Sequence, residues 1–445
     1  MAASDPITDE VTDLLQQLIR NQCVNDGTVA SGGETRSVDL LTQYLGRAGL
    51  DTELYEPQPG RASLVSRIEG SDPNAPSLLL MGHTDVVPVN PDGWHRDPFG
   101  GELADGEVWG RGAVDMLNLT ASMAVAFRHL ANEGFRPKGT LVYLAVADEE
   151  ALGTWGARWL VDHERDAVVT DYVITESGGF QMPSPAGPRL PVLIEEKGTY
   201  WSKLKVRGTP GHGSQPFRTD NALVTAAEVV RRLVEYKPET RIGETWRRFV
   251  EGIGFPPEIS EPLTSPDLLD DYLTTLPLGF SRMVHACTHT TIAPTVLHAG
   301  TKTNVIPDYV EMEVDIRTLP GQSGDEIRAM LEEALGDLAD RVEIESNDDP
   351  STSSPSDTPL WDVLTKTTSR LVDGSSLVPF VMVGGTDNRF FRRAGSVGYG
   401  FGLFSKHLAF EDYATMFHGN DERVDQESLR LSTELWLATA KELLG

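Results

Sequence analysis

Three short apolar runs constrain this chain more than any other feature: SLLLMG at 77–82, TLVYLAVA at 140–147 and DYVITES at 171–177. A strand with one wet face alternates apolar and polar residues, and these runs do not. They need burial on both faces, and helix patterns stand between them to supply it. Apolar residues recur at helical spacing over 7–22, 36–49 and about 119–134. ASLVSRI (62–68) adds a further strand. The expected fold class is α/β, a mostly parallel sheet covered by helices on both faces.

The texture changes near residue 193. VLIEEKGTYWSKLKVRG (192–208) alternates like an antiparallel strand, and a helix pattern follows at about 220–236. Residues 237–290, rich in Pro and Thr, read as irregular. THTTIAPTVLHAG and YVEMEVDIRTL read as sheet strands, and 323–335 as a helix. SNDDPSTSSPSDTP (346–359) reads as a solvated linker. The first texture then returns with a helix at 360–371, the strands SLVPFVMVGG and SVGYG, and a final helix at 425–443. A chain of 445 residues exceeds one ordinary core. The reading is a catalytic domain in two parts, 1–194 and 349–445, interrupted by an inserted α+β domain at 195–348.

Each buried run ends in a polar cluster. SLLLMG leads into His83 and Asp85, TLVYLAVA into Asp148-Glu149-Glu150, and DYVIT into Glu176. GEVWGRGAVDM (106–116) sets Asp115 after two glycines, just before a helix. Open parallel sheets bind ligands beyond the carboxyl ends of their strands, so the fold class gathers these distant residues at one edge. One imidazole with several carboxylates suits Zn²⁺ better than Mg²⁺. So many carboxylates would repel without cations. Two divalent ions ~3.5–4 Å apart, bridged by a carboxylate, resolve the conflict and form a known hydrolytic design. A second histidine should lie near the C-terminal end. His418 in ATMFHGNDERVD fits, and His407, with no carboxylate or glycine packed around it, competes. His95 reads as a loop residue, His129 and His163 as helix residues, and His285, His289 and His298 as structural.

The net charge of −29, from 38 basic and 67 acidic residues, excludes nucleic acid and anionic membranes as partners and favours a cation. No run approaches the roughly 18 apolar residues of a membrane span. The N-terminal MAASDPITDEVTDLL lacks the basic start and apolar middle of a secretory signal, so the expected location is cytoplasmic. Cys23 and Cys287 form no disulfide framework and read as small buried hydrophobes.

Taken in order, HxDxxP (His83, Asp85, Pro88), WxxDPF (94–99), GRGxxDM (110–116), DEE (148–150), TES and HGxDER (418–423) resemble the co-catalytic zinc peptidases and amidohydrolases. That family includes aminoacylase-1, carboxypeptidase G, acetylornithine deacetylase and succinyl-diaminopimelate desuccinylase. The resemblance runs from about residue 10 to the C-terminus. It implies that His83 and Glu176 bind one zinc, that Glu150 and His418 bind the other, and that Asp115 bridges both. Asp85 would orient the His83 ring. Glu149, beside the metals but not spent on them, would be the general base. Adjacent Glu149 and Glu150 can do different jobs only where the backbone is irregular, as at a strand end. The resemblance also implies a cis Asp115–Met116 peptide and two Zn²⁺ per subunit, with Co²⁺ or Mn²⁺ as substitutes. In one departure, Leu117-Asn118 stands where the family has Lys or a similar residue and then Gly; this bears on the pocket wall.

In the inserted domain, His212 of GTPGHGSQP matches a family histidine that reaches the partner subunit's site and stabilises the oxyanion. This implies a homodimer formed through that domain. Asn304 in KTNVIPD and Arg317 in VDIR match positions at the substrate's carboxylate. In GGTDNRFF (384–391), the backbone at Gly385 and Thr386 could meet an anion and Arg389 could fork onto a carboxylate; alternatively Thr386 or Asp387 only caps a helix. The expected substrate is a dipeptide or N-acyl amino acid with a free α-carboxylate. The length of 237–290 favours an aminoacylase, dipeptidase or carboxypeptidase over a biosynthetic deacylase of acetylornithine or succinyl-diaminopimelate type. A metallophosphoesterase would want more His and Asn ligands. A non-catalytic metal-binding protein would not need Glu149.

Overall fold

The apolar runs are strands at the centre of a nine-stranded sheet. The structure is a computed structural model describing residues 5–445, apart from the side chains of Glu411 and Ala414. Leu78–His83 lies between Leu141–Val146 and Tyr172–Thr175, parallel to both. Val397–Gly400 continues the parallel order on Tyr172–Thr175, and Ser376–Met382 runs parallel to Arg189–Glu196. Antiparallel pairs flank this centre: Arg61–Ile68 on Leu141–Val146, Thr52–Gln58 on Arg61–Ile68, and Thr352–Ser353 on Arg189–Glu196. His83 sits in register with Val146, so the two polar clusters that follow emerge side by side.

Both faces are covered. Helix Leu117–Asn132 is buried almost all round because it is sandwiched between the sheet and helices Pro6–Arg20 and Gln426–Leu444. Phe127, Leu130, Leu435 and Trp436 belong to that core. Leu160, Val168 and Phe391 cover the other face.

The chain leaves this sheet after Glu196. Gly198–Arg207 starts a four-stranded antiparallel sheet with Tyr309–Thr318, Thr291–Ala299 and Val342–Asp349. The segment 192–208, expected as one strand, is thus two strands broken at Lys197. Helices Ala222–Glu235 and Gly324–Leu335 pack on the small sheet through Val229, Leu233 and Leu331. A capping box fixes the start of the second helix: the Ser323 hydroxyl accepts from the Glu326 N–H, and the Glu326 carboxylate accepts in return.

Two expectations are corrected. Residues 237–290 are not irregular: they hold the helices Glu244–Ile253, Pro257–Thr264, Pro266–Leu273 and Leu278–Thr288. Pro257 and Pro266 open helices, where the missing N–H costs nothing. These helices pack on the large sheet, with Trp246 and Phe249 against Val378 and Phe380. Nor is 346–359 a solvated linker. It ends one strand, adds Thr352–Ser353 to the large sheet, and buries Ser354, Ser356 and Thr358. The small hydroxyls take backbone partners, as where Ser354 Oγ accepts from Gly398 N–H. Among the described residues no helix is long and apolar enough to cross a membrane.

Candidate active site

The sheet's carboxyl edge gathers the expected metal-binding side chains into two triads that share one residue. Ligand atoms of His83, Asp115 and Glu176 lie within 4.8 Å of one another, and so do those of Asp115, Glu150 and His418. His83 Nε2 is 3.1 Å from Asp115 Oδ1 and 3.9 Å from Glu176 Oε2. His418 Nε2 is 3.4 Å from Asp115 Oδ2 and 3.2 Å from Glu150 Oε2. Asp115 thus turns one oxygen to each histidine. His407 lies elsewhere, paired with Glu427 at 3.5 Å.

Local backbone explains how neighbours diverge. Asp148 takes a left-handed conformation (φ 71°), which aspartate tolerates, and a 3₁₀ turn over Glu149–Ala151 follows. The Asp115–Met116 peptide is cis. Helix Leu117–Asn132 starts just beyond, and Leu117 and Asn118 are buried in it. A cavity opens in front of Asp115, Glu149, Glu150, Glu176 and His418, and neither Leu117 nor Asn118 is among the residues lining it, so this departure does not alter its wall.

The site's electrostatics call for cations. Burial, then neighbouring carboxylates, push Glu149 and Glu176 well above the usual carboxylate range. Burial opposes ionisation of Asp115 too, but hydrogen bonds from His418 and His83 outweigh it and hold the group low. Hydrogen bonds to Asp115 and Glu150 raise His418 to about 10. Glu150 Oε1 is buried without a hydrogen-bond partner among the described residues. Buried carboxylates with two imidazoles and an unspent oxygen fit a pair of divalent cations.

Asp85 differs in detail from expectation. His83 Nδ1 meets its backbone oxygen at 2.9 Å, whereas its carboxylate lies 3.7 Å away. That contact leaves Nε2 facing the triad. The Asp85 carboxylate accepts instead from the N–H groups of Glu149 (3.3 Å) and Glu150 (3.1 Å) and from Asn25 Nδ2 (2.8 Å). It fixes the turn that carries Glu149 and Glu150.

Two buried groups escaped the sequence reading. Glu422, inside the HGxDER motif, accepts from the N–H groups of Gly112, Val114 and Asp115 and pairs with Arg111 at 2.7 Å. It holds the loop that presents Asp115. Glu422→Ala strands Arg111 and three N–H groups, so it should cost about 3–5 kcal/mol of stability. Cation affinity should fall ~10–100-fold. Denaturant melts and calorimetric metal titration check both; unchanged affinity in a folded variant would remove this role. Lys197, buried at the break between the sheets, donates to the carbonyls of Ala286 and His289, and burial lowers it to about 8.

The remaining expected residues divide. Arg317 lines the cavity but pairs with Asp315 at 2.7 Å. Gly385 and Arg389 also line it. The Arg389 guanidinium, however, is occupied by the carbonyls of Thr386 and Leu152 and by the Asp349 carboxylate at 3.1 Å. The Thr386 N–H and hydroxyl donate to buried Glu196, and the hydroxyl accepts from Asn388 N–H. The anion reading is thus corrected for Thr386 and Arg389, whose donors intrachain partners take, while Gly385 faces the cavity and Asp387, not Thr386, stands at the helix N-cap. His212 and Asn304 sit together on a two-stranded ribbon, Gly211–His212 with Val305–Ile306, where Gly213 N–H donates to Asn304 O. Exposed His212 bonds Ser214 Oγ at 2.7 Å, and neither residue is among those lining this chain's cavity.

A sequence model of peptidase family M20/M25/M40 matches residues 79–442. The chain is 28% identical over 388 residues to the N-fatty-acyl-amino acid synthase/hydrolase PM20D1 of Xenopus tropicalis, covering 85% of this chain and 74% of that protein. It is 23% identical over 433 residues to aminoacylase-1 of Mus musculus, covering 96% and 94%. In fold it matches the M20 family metallo-carboxypeptidase Sso-CP2 of Sulfolobus solfataricus (TM-score 0.74, 16% identity, 99% of both chains). It also matches human carnosine dipeptidase 1 (TM-score 0.72, 16% identity, 98% and 96%).

Proposed function

Because the chain belongs to peptidase family M20/M25/M40, its carboxyl-edge triads have an enzyme's task, and we propose that it hydrolyses the amide bond of N-acyl amino acids or dipeptides bearing a free α-carboxylate. The observation that carries this reading is the pair of triads sharing Asp115, with half-buried Glu149 facing the same cavity. Relatives named for N-acyl amino acids support the substrate class.

His83 and Glu176 would hold one cation, Glu150 and His418 the other, and Asp115 both; the imidazole–carboxylate donor set suits zinc. When bound, the cations supply Lewis acidity to the amide carbonyl and the attacking water. Glu149 takes the proton from that water and returns it to the leaving amine. Asp85 holds the turn that aims Glu149. Arg317 meets the substrate's carboxylate from this chain's own cavity wall, and Asn304, beside His212 on the ribbon, reaches that carboxylate from a second copy of the chain.

His212 acts from a second copy of the chain. Its exposure, outside this chain's own cavity, supports that role, as does the outermost strand Thr291–Ala299 with exposed Val296 and Leu297. His212→Ala should lower turnover by ~10²–10³. Mixed dimers of His212→Ala with Glu149→Gln should regain activity, since one site then has both groups. If unfolding and co-refolding the two variants restores nothing, the role in trans is wrong.

A panel of dipeptides and of amino acids N-acylated with chains from acetyl to hexadecanoyl, assayed with metal content on the same sample, tests the reading as a whole. Hydrolysis confined to substrates with a free α-carboxylate is expected. Two bound metals with no amide hydrolysed would sink it.

A further inference from the structure

The cavity that holds the triads is larger than cleaving a dipeptide requires. Its volume is about 1550 Å³, against roughly 300–1,000 Å³ for ordinary small-ligand sites. Asp115, Glu149, Glu150, Glu176 and His418 face it. Much of the remaining wall is apolar and comes from the helices of 244–288 and the sheet they cover. Ile253, Phe255, Phe280, Met283, Phe380 and Met182 line it and belong to one contiguous cluster. Phe255 and Phe280 lie ring to ring at 6.4 Å. Phe255, Phe280, Met283 and Met182 are only half-buried, so apolar surface faces the cavity. Methionine adapts readily to a flexible apolar partner.

The polar part of the wall disfavours a dipeptide. A dipeptide's ammonium needs a carboxylate. Apart from the triads and Glu149, the lining carboxylates are Glu196 and Asp349. Glu196 is taken by Thr352, Thr386 and Arg392, and Asp349 by Arg389 and Arg393. Lys197 is likewise spent on two carbonyls.

We propose that the acyl group released is a long apolar chain lying along the wall built by 244–288, with Phe280 and Met283 of helix Leu278–Thr288 determining the chain length accepted. This rests on the amide-hydrolysis reading above and deepens it. Burying successive methylenes on this wall, rather than recognising an acetyl cap, supplies the discrimination.

The test is an acyl series of one amino acid (acetyl, octanoyl, hexadecanoyl) with a dipeptide of that residue, using cation-loaded full-length protein. kcat/KM should rise by on the order of 10² or more from acetyl to hexadecanoyl. In Met283→Glu and Phe280→Glu the hexadecanoyl-to-acetyl ratio should fall at least ~10-fold, because each sets a charge on the chain's path. A flat or falling profile with the acetyl substrate hydrolysed overturns this proposal and leaves amide hydrolysis standing. A rising profile whose ratio neither variant changes overturns the wall assignment. No amide hydrolysed by protein carrying both cations overturns the underlying reading and this one with it.

Discussion

Glu149→Gln should leave cation binding intact and lower turnover by ~10²–10⁴, the range a positioned general base supplies. Glutamine preserves the shape of the side chain and cannot accept the water's proton. Neither triad includes Glu149, so cation binding should survive. The Asp85 carboxylate accepts from the Glu149 backbone N–H, not from its side chain, so the turn should also survive. Loss of a cation in this variant would make Glu149 a ligand. Near-normal turnover would remove it from the mechanism.

Asp115→Ala should do more damage to metal binding than any other single change. Asp115 is the one residue in both triads. Removing it takes an oxygen from each site and withdraws the partner that faces His83 at 3.1 Å and His418 at 3.4 Å. Turnover should fall by about 10³ or more, several kcal/mol of transition-state stabilisation. Glu176→Ala and His418→Ala each touch one triad and should each weaken chiefly one cation. Metal per chain after gel filtration, measured for all three, distinguishes a shared ligand from two independent sites. Equal losses in the three variants would argue against bridging.

The site was legible because its chemistry interrupts a simple pattern. His83 and Glu176 are polar residues placed where buried apolar runs stop, and the parallel sheet brings those stops to one edge. His418 could be chosen over His407 because glycine and acidic neighbours surround it. Glu422 was not legible as a support, since its partners lie about 310 residues away along the chain. Arg389 and Thr386 misled for the opposite reason. Their residue types fit an anion site, but Asp349 and Glu196, remote in sequence, already satisfy them. The helices of 244–288 were hidden by their prolines: Pro257 and Pro266 open helices rather than break them, and Pro262 lies inside one. They matter for function because they build the apolar wall.

The most direct measurement is a zinc titration of metal-free protein, following bound metal and amide hydrolysis together. Two zinc ions per chain, with full turnover only after the second equivalent, is the predicted result. Full turnover at one equivalent, or in protein stripped of metal, would contradict a site built from two triads sharing Asp115.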